Sequence, residues 1–464
     1  MITYQNLLEI GDDEQNRMNY VLDIINSHVK SDEYETAKIA QEYDRKQNST
    51  IVNYKKLLYT LSGEEVPDNY SANYKITSNF FNRFVVQENQ YLLGNGVSWN
   101  DESTGEKLGE DFDTRLQELG RYALVDGVSF GFWNYDHLVT YRLTEFAPLY
   151  DEEDGSMKAG VRFWRIDKAK PLRATLYEMD GYTDYIWRDG KGEILNPKRG
   201  YTITVRSTPA DGEEIYNMEN YPSFPIIPLW GNPAHQSEII GIREGIDAYD
   251  LIRSGFANDL DDASQIYWII QNAGGMDDID LAKFVKRLKT VKAAVVDEDG
   301  AKAESHTLEV PYASREALLT RLRSDLYEDY MALDTKNIAG GSVTATQIKA
   351  AYEPLNSKVD MYEYCVHDFI DGLLYVAGIE DKPSFTRSVI VNTQENVQIL
   401  LQGAQYLSED YVTTKLLELF GDGDKAEEII NDMQDEDIER MPVGNEEEGD
   451  TANKEGENPP EEEV

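Results

Sequence analysis

Apolar positions recur at three- and four-residue spacing over long stretches of this chain, and a block of short aromatic-rich runs interrupts them. Residues 11–46 read as helices with a heavily charged surface. Between Tyr74 and Trp99, Phe80, Phe84 and Tyr91 keep near-helical spacing. Gly94-Asn95-Gly96 closes that helix, because glycine accepts positive φ. A second helix is predicted over Asp113 to Val125, with Leu116, Leu119, Tyr122 and Ala123 as its buried stripe.

From Gly127 to Pro228 the period changes. Runs such as VSFGFWNYD, VTYRLTEF, GVRFWRI, ATLYEM and YTDYIW are rich in aromatic and β-branched residues. Asp189-Gly190 and Asp211-Gly212 supply turn signals, so the segment reads as a meandering antiparallel β region. Helical spacing returns after Gly231-Asn232-Pro233, with Ile239, Ile242, Ile246, Tyr249, Ile252, Phe256 and Leu260 in step. Residues 272–310 form a compact insert. It carries a short basic helix (Lys283, Lys286, Arg287, Lys289, Lys292) and a hairpin turning at Asp299-Gly300.

A return helix is predicted from Ser314 to Asp334 through Leu319, Leu322, Leu326, Tyr330 and Leu333. The loop Asn337-Ile338-Ala339-Gly340-Gly341-Ser342-Val343 follows. Thr344 to Gln347 then matches a capping box that opens a long helix. Its stripe is Ile348, Tyr352, Leu355, Val359, Tyr362, Val366, Phe369, Leu373 and Val376. Pro354 lies inside this run and predicts a kink, since it removes a donor and crowds the preceding turn. Helix resumes over about Thr393 to Asp432. Residues 441–464 hold nine acids against one base, Lys454, and are expected to be disordered. The fold class is α+β, mainly helical.

Composition narrows the function. With 464 residues and 41% hydrophobic content, the chain can bury more than one core. No run of about 18 apolar residues occurs, so no membrane-spanning helix or membrane partner is expected. The opening MITYQNLLEIGDDEQ lacks the pattern of a secretory signal. Cys365 is the single cysteine, which excludes an internal disulfide and fits a reducing compartment. The net charge of -43 opposes tight binding of nucleic-acid phosphates except at local sites.

Catalytic chemistry finds little support. No G-x-x-x-x-G-K-[ST] loop and no H-E-x-x-H occurs, and the five histidines are scattered. Cys365 and His367 are two apart on a helix and so point to different faces, which makes Cys365 a core residue. Asp259, Asp261 and Asp262 could suggest a metal-dependent nuclease, and Asp297-Glu298-Asp299-Gly300 the start of a calcium loop. The second lacks the twelve-residue spacing, and in so acidic a chain both read better as solvated turns or faces. No cofactor, metal site or catalytic residue is expected.

Several segments, in order, resemble one known family. The N-F-x-x-x-x-V…L-L-G-N-G core of Tyr74–Trp99 is similar to a helix of tailed-bacteriophage portal proteins, with Gly96 where proline is usual. RYALVDGVSFGFWNYD and TEFAPLYDEEDGSMKAGVRFWR resemble parts of that family's wing. YPSFPIIPLWGNPAHQSEIIGIREGIDAYDLIRSGFANDLDD resembles its P-x-I-x-x-x-x-N…I-D-A-Y-D…N-D-x-x-D stretch, and GGSVTATQIKAAYEPLNSKVDMYE its tunnel loop and following helix. The relatives are portals of siphophages and prophages in Gram-positive bacteria, and the likeness spans about Tyr74 to Tyr406.

The resemblance implies a non-enzymatic ring of about twelve subunits at a capsid vertex. Double-stranded DNA would pass through it. Terminase, capsid and scaffold proteins and a head-completion adaptor would be partners. It further implies a virion component assembled in the host cytoplasm. It maps a wing onto 1–236, stem helices onto 237–262 and 314–334, and a clip onto 263–313. A tunnel loop falls at 335–344, a kinked helix at 345–383 and a crown at 384–440. Within that map, Ile242, Ile246, Tyr249, Phe256, Leu322 and Leu326 pack the stem. Lys283, Lys286, Arg287, Lys289 and Lys292 dock partners at the clip, and residues Asn337 to Thr344 face the channel. The alternatives are a metal-dependent nucleic-acid enzyme, or another head-completion or minor structural phage protein.

Overall fold

A computed structural model describes the chain apart from residues 1–2, 60–63, 68–72, 102, 208–213, 264–266, 272–301, 307–310, 339–343, 389–392, 422, 427, 432 and 434–464. Two compact units emerge, one of residues 1–341 and 349–389, the other of 342–348 and 390–464.

The first unit opens with α1 (Tyr4–Ile10), α2 (Glu14–His28), α3 (Asp32–Asp44), α4 (Ser49–Val52) and a hairpin of β1 (Leu57–Tyr59) and β2 (Glu65–Pro67). Next come α5 (Phe80–Leu93), β3 (Val97–Trp99), α6 (Ser103–Leu108) and α7 (Phe112–Asp126). Side chains set these boundaries. Asp13 and Ser31 accept hydrogen bonds from the amides of Asn16 and Tyr34 at the starts of α2 and α3. Gly96 takes φ 76° just past α5. In α7, Leu116, Leu119 and Ala123 are buried as expected. Tyr122 is half-buried, because its hydroxyl donates to Glu118 at 2.8 Å and Arg142 lies over its ring.

The aromatic-rich block is the expected antiparallel region, divided between sheets. β4 (Val128–Asn134) pairs with β5 (His137–Arg142) and with β13 (Ile226–Trp230). β6 (Phe146–Tyr150), β7 (Met157–Trp164), β8 (Leu172–Glu178), β9 (Gly181–Arg188) and β10 (Lys191–Arg199) form a five-stranded meander. β11 (Thr202–Ser207) and β12 (Glu214–Glu219) form a separate hairpin. Asp189 and Gly190 both take positive φ, as a two-residue type I′ turn requires. Asp211-Gly212 lies outside the described residues. Met18, Val21, Ile24 and Ile25 of α2 pack on Val161, Leu176 and Tyr185 of the meander. Phe130, Phe132, Tyr141, Phe146 and Tyr177 join the two sheets.

The long helices follow. α8 runs Arg243–Ala263, six residues later than the spacing from Ser237 suggested. Gly241 at φ 92° prevents a continuous helix, so Ile239 and Ile242 are buried from the turn before it. β14 (Tyr267–Gln271) pairs with β15 (Lys302–His306), so the strand following Asp299-Gly300 returns to 267–271. The turn itself and its other arm fall outside the described residues. α9 covers Tyr312–Tyr330 and α10 Ala345–Ala377, with Pro354 inside it. β16 (Pro383–Phe385) pairs with β3. Gly131 on β4 makes room for α10, since a Cβ there would lie 2.6 Å from the Phe369 ring. In the second unit, α11 (Thr393–Gly403) and α12 (Glu409–Phe420) lie within the predicted helical segment, and Ser408 caps α12.

Candidate functional site: paired helices and the segment between them

α8 and α9 pack against each other where side chains are smallest. A Cβ on Gly245 would stand 2.9 Å from Leu326 Cδ2. Ile242, Ile246 and Leu326 are buried at this contact level, while Tyr249, Phe256 and Leu322 are half-buried. Phe80 of α5 meets the Tyr249 ring edge-on at 5.0 Å. Farther along, Arg315 lies over Phe256 and pairs with Asp259. Asp259 therefore holds two helices together. Leu260, placed in the apolar stripe by its spacing, is 51% exposed.

The opposite face of α8 carries polar residues at the same three/four spacing. Asp247 accepts from Tyr43 (2.5 Å) and Thr50 (3.1 Å). Asp250, fully buried, accepts from Asn48 (3.0 Å) and the Ser78 amide (2.9 Å). Ser254 accepts from the Ile76 amide and Asn258 from the Tyr74 amide. These bonds satisfy the extended backbone of 74–78, which no strand pairs with among the described residues.

α9 stops at Tyr330, not at Asp334. Met331 takes the left-handed conformation at φ 64° and donates to Glu328, while Ala332 donates to Tyr327, a Schellman end. The chain beyond is pinned nonetheless. Gln87 of α5 bonds both the amide and the carbonyl of Leu333, at 3.0 and 3.1 Å. Arg323 forks onto Asp334 at 2.6 and 2.7 Å, and this holds the carboxyl below its ordinary range. Asp334 then caps a 3₁₀ turn, Thr335–Asn337. Ile338 is half-buried, and Ala339, Gly340, Gly341, Ser342 and Val343 lie outside the described residues. On the far side the capping box forms as expected. Gln347 Oε1 accepts from the Thr344 amide (3.1 Å) and Thr344 Oγ1 from the Gln347 amide (3.3 Å).

Below these ends sits a buried charge cluster that the sequence reading did not identify. Lys358 of α10 pairs with Glu238 and stands 3.8 Å from Glu88 of α5. Tyr330 of α9 donates to Glu88 at 2.7 Å, and the Lys358 ammonium lies 4.1 Å from the Tyr330 ring centre. Burial pushes the Glu88 carboxyl up to about 8 despite the nearby lysine. Burial would lower Lys358, yet the two carboxylates hold it above its ordinary value. One turn along α10, Tyr362 donates to Asn89, the residue after Glu88, and Asn89 donates to the Gln117 carbonyl of α7. The cluster thus ties the helices on both sides of residues 337–344 to the α5–α7 core. A signal for it exists in the sequence. Glu88 lies four after Phe84, and Lys358 three after Leu355 and four before Tyr362, so both interrupt apolar stripes.

Lys283, Lys286, Arg287, Lys289 and Lys292 lie outside the described residues. Cys365 is buried, and burial raises its thiol to about 11, which suits a core residue. Among the described residues no group of three potential ligands gathers for a metal, and no helix is long and apolar enough to cross a membrane.

Comparison with known proteins adds the following. The family described as "Phage portal protein, SPP1 Gp6-like" matches residues 25–442. The chain is 30% identical over 363 residues to the portal protein of Clostridium phage phiCD119, covering 71% of this chain and 78% of that one. It is 24% identical over 392 residues to the portal protein of Bacillus phage SPP1, covering 75% and 74%. Among solved structures, a chain of a native gene transfer agent virion is similar at TM-score 0.42 and 11% identity, over 73% of this chain and 89% of that one.

Proposed function

The chain belongs to the SPP1 Gp6-like family of phage portal proteins, and from that premise we propose how its parts serve a head-to-tail connector. The observation that carries the connector role is the family match from residue 25 to 442, reinforced by portal relatives from phages of Gram-positive hosts. Copies assemble in a closed ring of about twelve, as heterologous contacts that close require. The ring sits at one capsid vertex and passes double-stranded DNA. Terminase docks for packaging and a head-completion adaptor afterwards, with capsid and scaffold proteins around the ring during assembly in the host cytoplasm. The chain acts without chemistry of its own. Residues 1–236 are the wing, α8 and α9 the stem, the segment between them the clip, and residues 384–440 the crown.

Residues Asn337–Thr344 face the channel in this reading. The support is the contrast between pinned flanks and a glycine-bearing middle: Leu333, Asp334, Tyr330 and Lys358 are all held by α5 or α9. Gly340 and Gly341 permit backbone states closed to other residues, and no charge lies between Ile338 and Val343 to grip phosphate. A kink at Pro354 would let α10 carry loop position toward the wing. Replacing Gly340 and Gly341 by valine is expected to leave rings intact and to abolish packaging, read as DNA per prohead in complemented phage. Normal packaging would sink the channel assignment, and failed ring assembly would make the loop a structural connector.

The bases from Lys283 to Lys292 are assigned to clip docking, on the ground that five bases cluster in a strongly acidic chain. Reversing Lys286 and Lys289 to glutamate should weaken adaptor binding, with the larger loss at low salt where screening is weakest. Affinity unchanged at low salt would contradict the assignment.

A further inference from the structure

We propose that an uncovered acidic and aromatic stripe along α10 docks on the basic, tyrosine-bearing corner beside α8 of the next copy. The stripe is Met361, Tyr364, Asp368, Asp371 and Tyr375, all exposed. At about 100° per residue they fall within about 80° of the helix circumference and run about 21 Å along it. Tyr364 is 71% exposed and Tyr375 63%. The stripe lies opposite the side that α10 buries with Tyr362, Val366, Phe369 and Leu373. Its flanks are occupied. Ile227 of β13 stands against Gly372 on one side, and His367 meets the Phe385 ring of β16 edge-on at 5.2 Å on the other. Among the described residues, Asp368 and Asp371 form no ion pair and no side-chain hydrogen bond. Apolar side chains gathered on one exposed face mark a contact surface.

The corner is built where the turn after α3, the segment 73–78 and α8 meet. Lys75 donates to the Val52 carbonyl, Thr77 to the Lys46 carbonyl, and the Ile76 amide to Ser254 of α8. Arg45, Lys46, Lys55, Lys75 and Arg253 are exposed there. None of the five forms an ion pair among the described residues. The acids nearby are committed: Asp44 to Arg121, Asp247 to Tyr43 and Thr50, Asp250 to Asn48 and Ser78, Asp259 to Arg315. Tyr54, Tyr74 and Leu251, also exposed, line a cleft of about 150 Å³.

Each surface identifies what covers the other. Copies of a chain with net charge -43 repel one another, and the repulsion is relieved where unpaired bases meet unpaired acids. Phosphate backbones would use the bases of the corner and leave Tyr54, Tyr74 and Leu251 without contacts. The centre of a protein interface calls for such side chains, with tyrosine and arginine enriched. The α10 stripe offers unpaired acids and apolar side chains together, on one face of one helix. Corner and stripe belong to different elements of the protomer, so their pairing between copies is heterologous, and heterologous contacts can close into a ring.

The inference rests on the ring reading, and the test separates the two. Full-length protein would carry Lys55→Glu and Arg253→Glu, or Asp368→Lys and Asp371→Lys, or all four. Light scattering gives the concentration for half-assembly, and circular dichroism melts check that folding is unchanged. Each pair of reversals should raise that concentration about tenfold or more, and the four together should return it to within about threefold of the parent. Tyr364→Ala with Tyr375→Ala, which changes no charge, should also raise it about tenfold. A parent that stays monomeric overturns the ring reading. If the parent forms rings and either the reversed pairs or the tyrosine variant assemble equally well, the docking is wrong. Reversals that fail without rescue by the combination show that corner and stripe do not face each other. Intact variant rings with weakened binding of a double-stranded oligonucleotide, read by fluorescence anisotropy, would give the corner to DNA instead.

Discussion

Replacing Lys358 by alanine is expected to lower folding stability by about 3–5 kcal/mol, because it leaves the Glu238 carboxylate without its buried counter-charge. Thermal unfolding of the first unit checks this. The loss should be larger at pH 8 than at pH 5, since Glu88 keeps its proton at pH 5 but gives it up near 8, where the ammonium of Lys358 is needed as its counter-charge as well. Glu88 itself sets a pH dependence in the parent. Its folded value near 8 lies above the ordinary 4.5, so the folded state keeps a proton that the unfolded chain has released. Stability from this group is complete below about 4.5 and is lost as pH rises through 8. Glu88→Gln mimics the protonated form and keeps an acceptor for Tyr330. It should flatten that part of the stability profile and raise the melting temperature at pH 8. A melting temperature for Lys358→Ala equal to the parent at both pH values would show that the cluster does not hold the helices.

The second large effect is expected at the α8–α9 contact. Ile246 is 2% exposed and Leu326 1% exposed. Aspartate at either position buries a carboxylate with no partner, and should cost several kcal/mol, on the order of 3–5. Because the same contact sets the spacing of the paired helices, both variants should also fail to assemble. Light scattering reads the outcome. Two variants that assemble like the parent would mean that this contact does not organise the paired helices for assembly.

How far the sequence led depends on what kind of force placed each residue. The α10 stripe was legible from Tyr352 to Val376, because a helix against a core leaves its period in the apolar positions, and Thr344–Gln347 marked its start by local hydrogen bonding alone. Helix ends governed by single unusual torsions were not. Gly241 and Met331 take positive φ, and these two residues moved the start of α8 and the end of α9 against the apolar spacing. Leu333 shows why the spacing misled, since it is buried by Gln87 and its surroundings after the helix has ended. Leu260 shows the converse, an apolar position in step with a stripe that no neighbour within the described chain covers.

The charged residues were harder to read for a different reason. Pairing between Lys358, Glu88 and Glu238 joins three segments far apart in sequence, so no local rule reports it. The hint was only that two charged residues occupied apolar-stripe positions. The polar face of α8 was similarly hidden, as Asp247 and Asp250 look solvated until the 74–78 backbone that needs them is in place. Family resemblance, by contrast, was strong in the sequence because the matching segments keep their order from Tyr74 to Tyr406, within the 25–442 that the portal family matches.

The central claim is that this chain works as a closed ring. Negative-stain electron microscopy of the purified full-length protein tests it most directly. The account predicts end-on class averages with a central opening and about twelve-fold rotational symmetry. Monomers, two-fold dimers or open filaments at every concentration, from protein that melts cooperatively, would contradict it.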